Sequence, residues 1–427
     1  MRLYIDPGTG SMLFTILIAV IGSLVFLLRN FWLKLGILLS GGKKSAAASD
    51  LQPLVIFAES KRYWNVFHPI CEELEKRGQS VIYLTGSADD PVFSRGYQHI
   101  QPQMIGEGNR AFARLNMLKA QIVFSTTPGL DVYQWKRSRN VQKYVHIAHA
   151  PNDITLYRMF GLDYYDAVIL SGGYQVRQIR KLEEIRKLPA KELPVLGIPY
   201  MDEARKRLEH AEPLPASADR TVLLAPSWGP SAILSRYGRR MIDALLATGY
   251  HIIIRPHPQS FASEKETMDQ LMTVFPDQDR LEWNRDADNF DTLRRSDILI
   301  SDFSGIVFDY TLIHDKPVLY ADTSFDSAIY DACWLEEPLW TFQALPRLGM
   351  QITEEDLPRM KELIDSCIAD PKFAAAREEI RNETWAHRGE SAALIADYLT
   401  EKLDELQQAG TAGASFSEAS PSGGKES

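Results

Sequence analysis

The sequence predicts an α/β protein made of two Rossmann-like halves in tandem, and three observations lead to this prediction. From about residue 51, short apolar runs rich in β-branched residues alternate with stretches of helical periodicity. Polar and apolar residues do not alternate within these runs, which is typical of parallel strands covered by helices on both faces. The acidic, proline-bearing stretch EHAEPLPASADR at 209–220 separates two such series.

Each series contributes its own strands and helices. The first is expected to contain strands at 54–58, 81–85, 122–125, 144–148, 167–170 and 193–197, with helices at 66–77 and 174–187. The second is expected to contain strands at 221–225, 251–255, 298–301 and 317–320, with helices at 233–248, 265–274 and 306–314. From residue 354 the chain is expected to be helical to about residue 407.

The N-terminal segment differs in character from the rest. Residues 7–28 carry no charge, and as a helix they are long enough to cross a hydrocarbon core of roughly 30 Å. Basic residues mostly follow this run, so the positive-inside tendency places the large C-terminal part in the cytoplasm. A cleaved signal peptide and a buried core helix are the alternatives. The sequence therefore predicts a single-pass protein of the cytoplasmic membrane.

These patterns divide the chain into five expected segments. They are a membrane anchor at 1–40, a linker at 41–50, Rossmann-like domains at 51–210 and 211–407, and a disordered tail at 408–427. The formal net charge of -9 argues against nucleic acid as a partner. Three widely separated cysteines form neither a disulfide framework nor a zinc site, which favours a reducing compartment. No metal site and no cofactor is evident in the sequence, and metal dependence is left open. The oligomeric state is not predicted.

Candidate functional segments lie where four predicted strands end. Ligands of parallel α/β folds bind beyond the carboxyl ends of the strands, and two facing halves form a cleft there. The segments in question are HAPND at 149–153, PSWGP at 226–230, PHPQS at 256–260 and DFSG at 302–305, with the scattered tryptophans expected in the core. We therefore expect the four segments to line one cleft, with Ser227 as a supporting residue.

Two histidines in these segments are candidates for catalysis. Two prolines flank His257 and stiffen its loop, and with Arg255 it suits the charge of a diphosphate; a solvated turn histidine is the alternative. His149 follows a strand of the first half and could take a proton from a hydroxyl nucleophile, with a structural role as the alternative. His146 points to the opposite face of that strand and is expected to be structural.

The turn at 301–305 has the composition of a phosphate-binding turn. Ser301, Asp302, Ser304 and Gly305 supply hydroxyls, a helix cap and room for close backbone approach, although ordinary N-capping explains the same residues. Asp309 follows on the expected helix as a second supporting candidate. P-loop, dinucleotide-binding and nucleophile-elbow motifs do not occur in the sequence, which disfavours those enzyme classes.

Several of these segments resemble one known family. LLAPSWGP at 223–230, IIIRPHP at 252–258 and SDFSGIVFDYTLIHDKPVLY at 301–320 are similar to the motifs of the CDP-glycerol:poly(glycerophosphate) glycerophosphotransferases, the teichoic-acid primases and polymerases. VHIAHAPND at 145–153 resembles the family's tryptophan-His-Gly-Thr-Pro segment, and HRGESAALIADYL at 387–399 its C-terminal glycine-bearing helix start. The resemblance covers about residues 140–400 and is strongest in the second half.

The resemblance implies a GT-B fold and a reaction. A polyol phosphate such as glycerol phosphate would move from a CDP-activated donor to a hydroxyl of a lipid-linked glycan or polymer during synthesis of cell-envelope polysaccharide. His149 would be the base in an acceptor domain, and His257 would contact the donor diphosphate with Arg255 in a donor domain. The implied donor-phosphate residues are Ser301, Asp302, Ser304 and Gly305.

Some residues depart from the family pattern. Ala150 stands where the family commonly has glycine, Gly305 where it commonly has serine, and Asn152 and Asp153 where a lysine is expected. The alternatives are a nucleotide-sugar glycosyltransferase or UDP-sugar 2-epimerase on the same scaffold, and a non-catalytic membrane scaffold. Discrimination between CDP and UDP donors separates the enzyme classes.

Overall fold

The structure, a computed structural model, describes residues 51–215, 219–286, 288–323 and 325–418, with side chains to residue 409. The predicted anchor at 1–40 and linker at 41–50 lie outside these residues. Within the described ranges, no helix has the length and apolar character that a membrane span requires. The single-pass topology therefore stays a prediction.

The first half is built on a six-stranded sheet in which every neighbouring pair is parallel. Its strands lie in the order β3-β2-β1-β4-β5-β6. The bounds are β1 Gln52–Ala58, β2 Val81–Thr85, β3 Ile100–Met104, β4 Ala120–Ser125, β5 Val141–Ile147 and β6 Ala167–Ile169. The strands β2 and β3 are added on one side of β1, and β4, β5 and β6 on the other side. Because the order of strand addition changes between β1 and β4, the carboxyl ends of β1, β4 and β5 form a crevice.

The second half repeats this arrangement. Its strands lie in the order β12-β11-β10-β7-β8-β9, again with every pair parallel. The bounds are β7 Thr221–Leu224, β8 His251–Ile254, β9 Leu281–Trp283, β10 Ile298–Ser301, β11 Val318–Ala321 and β12 Gly349–Ile352. The predicted pair of Rossmann-like halves is thus confirmed as two parallel α/β sheets with the same strand order.

Helices cover both faces of each sheet, because the central strands are apolar on both sides and are buried. In the first half and the connection they are α1 Trp64–Lys76, α2 Asn109–Leu115, α3 Gly173–Arg186 and α4 Pro199–Glu209. In the second half they are α5 Ile233–Arg236, α6 Arg239–Leu246, α7 Ser260–Ser263, α8 Lys265–Val274, α9 Phe290–Arg295, α10 Ile306–Phe308, α11 Trp340–Leu348, α12 Met360–Ala369, α13 Lys372–Thr384 and α14 Ser391–Glu418.

Several predicted elements differ from the structure. The predicted strand at 193–197 is an extended segment rather than a strand of the sheet. In this region the structure has only isolated β-bridges, between Glu192 and Ala167 and between Val195 and Leu170. The sequence analysis missed three strands, β3, β9 and β12. All three lie at sheet edges, where a strand has a neighbour on one side only and can therefore carry polar residues. The predicted helix 233–248 is broken at Gly238, which adopts a φ of 47° between α5 and α6.

The C-terminal part also differs from the prediction. Helix α14 leaves the second half and packs on the first sheet, where Ile395, Ala396, Leu399 and Leu403 join the core of β1, β4 and β5. It continues to Glu418, so residues 408–418 are helical where the composition predicted disorder, and residues 419–427 lie outside the description. The helix predicted at 306–314 is short, since α10 passes into a π-helical turn at Asp309–Ile313.

Candidate active site

The segments that follow β5 and β10 meet across the two halves. Asn152, in the segment after β5, lies against the turn after β10: a Cβ atom added to Gly305 would be 3.2 Å from Asn152 Nδ2. The next residue, Asp153, accepts hydrogen bonds from the backbone of α11 in the second half. The segment after β5 and the turn after β10 therefore face each other, as expected for the strand ends of two parallel sheets.

His149 lies directly after β5 in a mostly buried setting. Its Nδ1 is 3.2 Å from Thr126 Oγ1 and 3.1 Å from Tyr157 Oη, and its ring packs edge-on against Tyr63 at a centroid distance of 5.5 Å. Burial lowers the pKa of His149 to about 4, because desolvation disfavours the imidazolium. The side chain is therefore neutral at pH 7, the state required of a base.

His146, predicted to be structural, is fully buried and contacts the same tyrosine. Its Nε2 lies 3.1 Å from Tyr157 Oη, and its ring packs edge-on against Tyr165 at a centroid distance of 5.0 Å. Desolvation holds its pKa well below the ordinary histidine value. Tyr157 therefore connects the two histidines, which sequence spacing alone had assigned to opposite faces of the strand.

His257 lies on an exposed loop after β8 and has a different hydrogen-bond arrangement. Its Nδ1 accepts a hydrogen bond of 3.1 Å from the backbone N–H of Gln259. In the neutral ring this leaves the proton on Nε2, so His257 presents a donor to the cleft. Burial and nearby Arg62 lower its pKa, while Glu264 acts in the opposite direction.

Two residues after β1 lie near the predicted catalytic histidines. Tyr63 packs against His149, and its chain neighbour Arg62 is close enough to His257 to influence its pKa. Both belong to the turn of 3-10 helix Lys61–Tyr63. Sequence analysis missed them, although their position after a buried parallel strand was a usable signal. The structure thus places adjacent residues of one turn near both predicted catalytic histidines.

Arg255, expected to bind the diphosphate, is engaged elsewhere in this structure. Its guanidinium donates to Asn284 Oδ1 and, over 2.8 Å, to the backbone oxygen of Asp286. Burial lowers its pKa, and Asp286 and Asp288 act against that effect. Direct contact with a donor would require the side chain to exchange these partners.

Ser301 and Asp302 support the turn after β10 rather than present ligands to the cleft. Ser301 Oγ donates over 2.7 Å to the backbone oxygen of Ala225. The buried Asp302 carboxylate accepts from the backbone N–H groups of Ser227, Ile233 and Ser304, at 2.9, 3.2 and 3.2 Å. The two side chains were predicted to bind donor phosphate, but their hydrogen-bonding capacity is used to join the ends of β7 and β10.

Ser304, Gly305 and Ser227 remain closest to the predicted role. Ser304 and Gly305 stand at the cleft-facing start of α10, and Gly305 has an ordinary helical backbone, so its missing side chain matters for space rather than for φ. The Ser227 hydroxyl is buried beside Asp302 without a hydrogen bond of standard geometry. These groups could accept or donate to an anionic ligand.

Asp309 has a protein partner one turn further along the chain. Its Oδ1 accepts a hydrogen bond of 2.8 Å from Tyr200 Oη. Burial raises its pKa to about 6, and the Tyr200 hydrogen bond acts in the opposite direction. Asp309 therefore ties α4 to the segment after the turn, which agrees with a supporting role.

Trp228 and Asn152 belong to two of the segments expected to line the cleft, but neither was singled out as a site residue. Trp228 was expected in the core, but 46% of its surface is exposed and its ring centroid lies 6.4 Å from that of His257. Asn152 Oδ1 is buried and has no hydrogen-bond partner. Among the residues with described positions, no group of three or more His, Cys, Asp or Glu side chains is arranged to hold a metal ion.

Solved structures with the same architecture define the class as GT-B-like. They include a variant of the wall teichoic acid polymerase TagF soaked with CDPG (16% identity, TM-score 0.52, 85% of this chain and 91% of that one). The S. aureus MnaA-UDP co-structure (13%, 0.57, 83% and 97%) and the Methanocaldococcus jannaschii UDP-GlcNAc 2-epimerase in complex with UDP-GlcNAc and UDP (11%, 0.53, 82% and 100%) are also similar. At these identities the likeness establishes the fold alone.

The family is established by sequence. The family model described as CDP-Glycerol:Poly(glycerophosphate) glycerophosphotransferase matches residues 108–332, slightly more than half of the 427 residues. The chain belongs to this family and is an enzyme of the CDP-glycerol glycerophosphotransferase type. No curated protein matched the chain in a sequence search.

Proposed function

We propose that this enzyme transfers glycerol phosphate, or a related polyol phosphate, from a CDP-activated donor to a hydroxyl of a lipid-linked glycan or polymer at the cytoplasmic face of the membrane. The observation that carries the proposal is that adjacent residues of one turn lie near both histidines: Tyr63 packs against His149, and Arg62 is near enough to His257 to lower its pKa. Family membership supports the donor and the reaction type.

His149 is the proposed base on the acceptor hydroxyl. Burial keeps its imidazole neutral at pH 7, so it can receive the proton as the hydroxyl oxygen attacks phosphorus. The oxygen–phosphorus bond to the acceptor forms, the bond to the CMP oxygen breaks with its electron pair, and CMP leaves. Positioning and charge stabilisation, rather than a covalent intermediate, supply most of the rate.

His257 is the proposed donor of a hydrogen bond to the diphosphate. Its Nδ1 is occupied by the Gln259 N–H, so Nε2–H is the free donor, and this group can stabilise the charge that develops on the leaving CMP. Ser304 and the backbone of Gly305 are proposed to contact phosphate. Ser301, Asp302 and Ser227 would hold that turn in place.

Membrane attachment and the acceptor class are also part of the proposal. The uncharged run at 7–28, followed by basic residues, supports a single membrane span with the catalytic part on the cytoplasmic side. A membrane-anchored transferase can reach an acceptor carried on lipid. The acceptor's glycan structure and the number of groups added are left open.

CMP release tests the proposal. Full-length, detergent-solubilised protein would be given CDP-glycerol with membrane lipid extract as acceptor, and wild type compared with His149→Ala and His257→Ala. We expect each substitution to reduce the rate by a factor of about 10² to 10⁴. CMP release that persists at the wild-type rate in either variant would contradict the assigned roles.

A nucleotide-sugar reaction is the second candidate. Its support is the similarity to solved structures of UDP-bound proteins with TM-scores of 0.57 and 0.53. UDP-GlcNAc would be incubated in parallel, with UDP release and epimerisation both measured. Turnover of UDP-GlcNAc without turnover of CDP-glycerol would transfer the assignment to this class.

A further inference from the structure

Thr126, Tyr157 and His146 form a hydrogen-bonded group behind His149. Thr126 Oγ1 and Tyr157 Oη both approach His149 Nδ1, at 3.2 and 3.1 Å, and Tyr157 Oη also lies 3.1 Å from His146 Nε2. Thr126 and His146 are fully buried and Tyr157 is partly buried; Thr126 directly follows β4, and His146 lies near the end of β5. The polar atoms of this group share only a few hydrogen atoms, so the donor and the acceptor of each hydrogen bond can be inferred.

Thr126 determines the direction of its contact with His149. Its hydroxyl has one hydrogen, which it donates over 2.8 Å to the backbone oxygen of Ile147. Toward His149 Nδ1 the same oxygen can therefore only accept. For this contact to be a hydrogen bond, Nδ1 must carry a proton, and in the neutral imidazole Nε2 then carries a lone pair. Among the described residues, none makes a hydrogen bond to His149 Nε2.

Tyr157 and His146 complete this arrangement. With a proton on His149 Nδ1, the Tyr157 oxygen also accepts from His149, and its own O–H points to His146 Nε2. His146 can accept because burial keeps its ring neutral. The His146 proton then lies on Nδ1, a buried atom for which the described residues provide no hydrogen-bond partner.

We propose that Thr126 and Tyr157, the latter backed by His146, are positioning residues that fix the tautomer of His149 with its proton on Nδ1 and its lone pair on Nε2. This inference rests on the proposed function, in which His149 is the base. When Nε2 takes the proton from the acceptor hydroxyl, the Nδ1–H keeps two oxygen acceptors that stabilise the imidazolium. The proton then returns to solvent after CMP has left.

The structure offers matched variants for a test. Thr126→Val removes the acceptor at nearly constant volume, Thr126→Ser keeps it, and Tyr157→Phe removes the second acceptor. Tyr165→Phe is the control, because Tyr165 packs on His146 but donates its own hydroxyl to the backbone oxygen of Thr127 at 2.6 Å. For each full-length variant we would measure kcat and the KM for CDP-glycerol, with thermal unfolding to verify folding.

We expect Thr126→Val to reduce kcat about 10- to 100-fold and to change KM less than about threefold. Thr126→Ser and Tyr165→Phe should stay within about threefold of wild type. The double variant Thr126→Val with Tyr157→Phe should approach His149→Gln. Equal rates for Thr126→Val and Thr126→Ser would overturn the proposal.

A spectroscopic measurement keeps this test separate from the proposed function. In protein labelled with ¹⁵N-histidine, the His149 signals, assigned by their absence in His149→Gln, should show a protonated Nδ1 and an unprotonated Nε2 at pH 7. The double variant should lose this preference. If wild type releases no CMP from CDP-glycerol but shows this signature, the function fails and the tautomer assignment stands. A protonated Nε2 in wild type would overturn the assignment whatever the activity.

Discussion

The Asn152 amide packs against the bare α-carbon of Gly305 across the cleft between the two halves. A Cβ atom at Gly305 would lie 3.2 Å from Asn152 Nδ2 and 3.4 Å from Oδ1. The backbone oxygen of Asn152 is fixed by Tyr174 Oη and Gln175 Nε2, so the segment itself cannot easily withdraw. Both positions were expected to depart from the family pattern, and the structure places them in contact.

Gly305→Ala is predicted to impair the reaction more than the fold. The added methyl would meet the end of one side chain rather than backbone, so Asn152 can shift and the free energy of unfolding should change by less than about 1 kcal/mol. The displaced amide and the narrowed turn should raise the KM for CDP-glycerol about tenfold, which is about 1.4 kcal/mol of binding. Steady-state CMP release and urea unfolding measure the two quantities.

Two controls belong to this experiment. Gly173→Ala introduces the same methyl at a helix start where nothing lies within 4 Å, and it should leave KM unchanged. Combining Gly305→Ala with Asn152→Ala removes the crowding, so the effects of the two substitutions should not add. Strict additivity would show that the contact does not matter for donor binding.

Asp153→Asn is predicted to weaken both stability and activity. The buried Asp153 carboxylate accepts from the backbone N–H groups of Trp340 and Thr341, at 2.7 and 2.8 Å, and from Thr341 Oγ1 at 2.6 Å. It thereby caps α11 from the other half of the molecule. Loss of the charge should cost about 2 kcal/mol in the free energy of unfolding. Because His149 precedes it in the same segment, kcat should fall as well.

Asp356→Asn provides the comparison for this capping contact. Asp356 accepts from Thr353 N and Thr353 Oγ1, both at 2.9 Å, in a capping box contained within the second half. Its substitution should cost about 1 kcal/mol and should leave kcat at the wild-type value. An equal loss of kcat in both variants would indicate general destabilisation instead of a specific effect on the segment after β5.

The sequence predicted those site residues whose placement follows from a single strand end. His149 and His257 each come directly after an apolar run, and parallel sheets bring such positions to one edge. The partners of the predicted residues could not be obtained in this way. Asn152 meets Gly305 only because two separately folded sheets face each other, and no local periodicity encodes that relationship.

The roles of the residues in the turn after β10 could not be predicted from the sequence either. The composition of residues 301–305 indicates a cap or an anion site, and both uses require the same residue types. Only the structure reveals that Asp302 is occupied by three backbone N–H groups, one of them from Ile233 far away in the chain. The edge strands were missed for a related reason, since their polar residues need no buried partner.

The acid side of the pH–rate profile is predicted to lack a transition at the ordinary histidine value. Burial lowers the pKa of His149 to about 4, and the titratable groups that face it, Tyr63, Tyr157 and His146, are neutral at pH 7 because burial raises the pKa of the tyrosines and lowers that of His146. Because the neutral ring is the base, kcat/KM for CMP release should stay level from pH 7 until about pH 4. A fall centred near pH 6.5 would contradict this assignment.

The same shift predicts how stability depends on pH. Between about pH 6.5 and 4 the unfolded chain binds a proton at this histidine and the folded chain does not. The free energy of unfolding should therefore decrease as the pH falls through this range, by about 3 kcal/mol from His149 alone. Urea unfolding of His149→Gln should show a correspondingly smaller decrease. An equal pH dependence of the free energy of unfolding in wild type and His149→Gln would exclude a lowered pKa of His149.

Asp309→Asn is predicted to stabilise the protein at neutral pH. The pKa of Asp309 is raised from 3.8 to about 6 in the folded protein. Its favourable contribution to the free energy of unfolding is therefore fully present below pH 3.8 and is lost as the pH rises through 6. An asparagine stays neutral and can still accept the Tyr200 hydrogen bond, which now measures 2.8 Å. At pH 7 the variant should therefore gain up to about 3 kcal/mol in the free energy of unfolding, and the gain should vanish near pH 4.

Tyr200→Phe tests the cause of that gain. Loss of the hydroxyl removes the donor that favours the carboxylate, so the pKa of Asp309 should rise further and the pH-dependent loss of stability should deepen at pH 7. In the background of Asp309→Asn the same substitution should leave no pH-dependent effect. A gain from Asp309→Asn that is equally large at pH 4 and pH 7 would mean that packing, and not the charge on the buried carboxylate, sets the stability at this position.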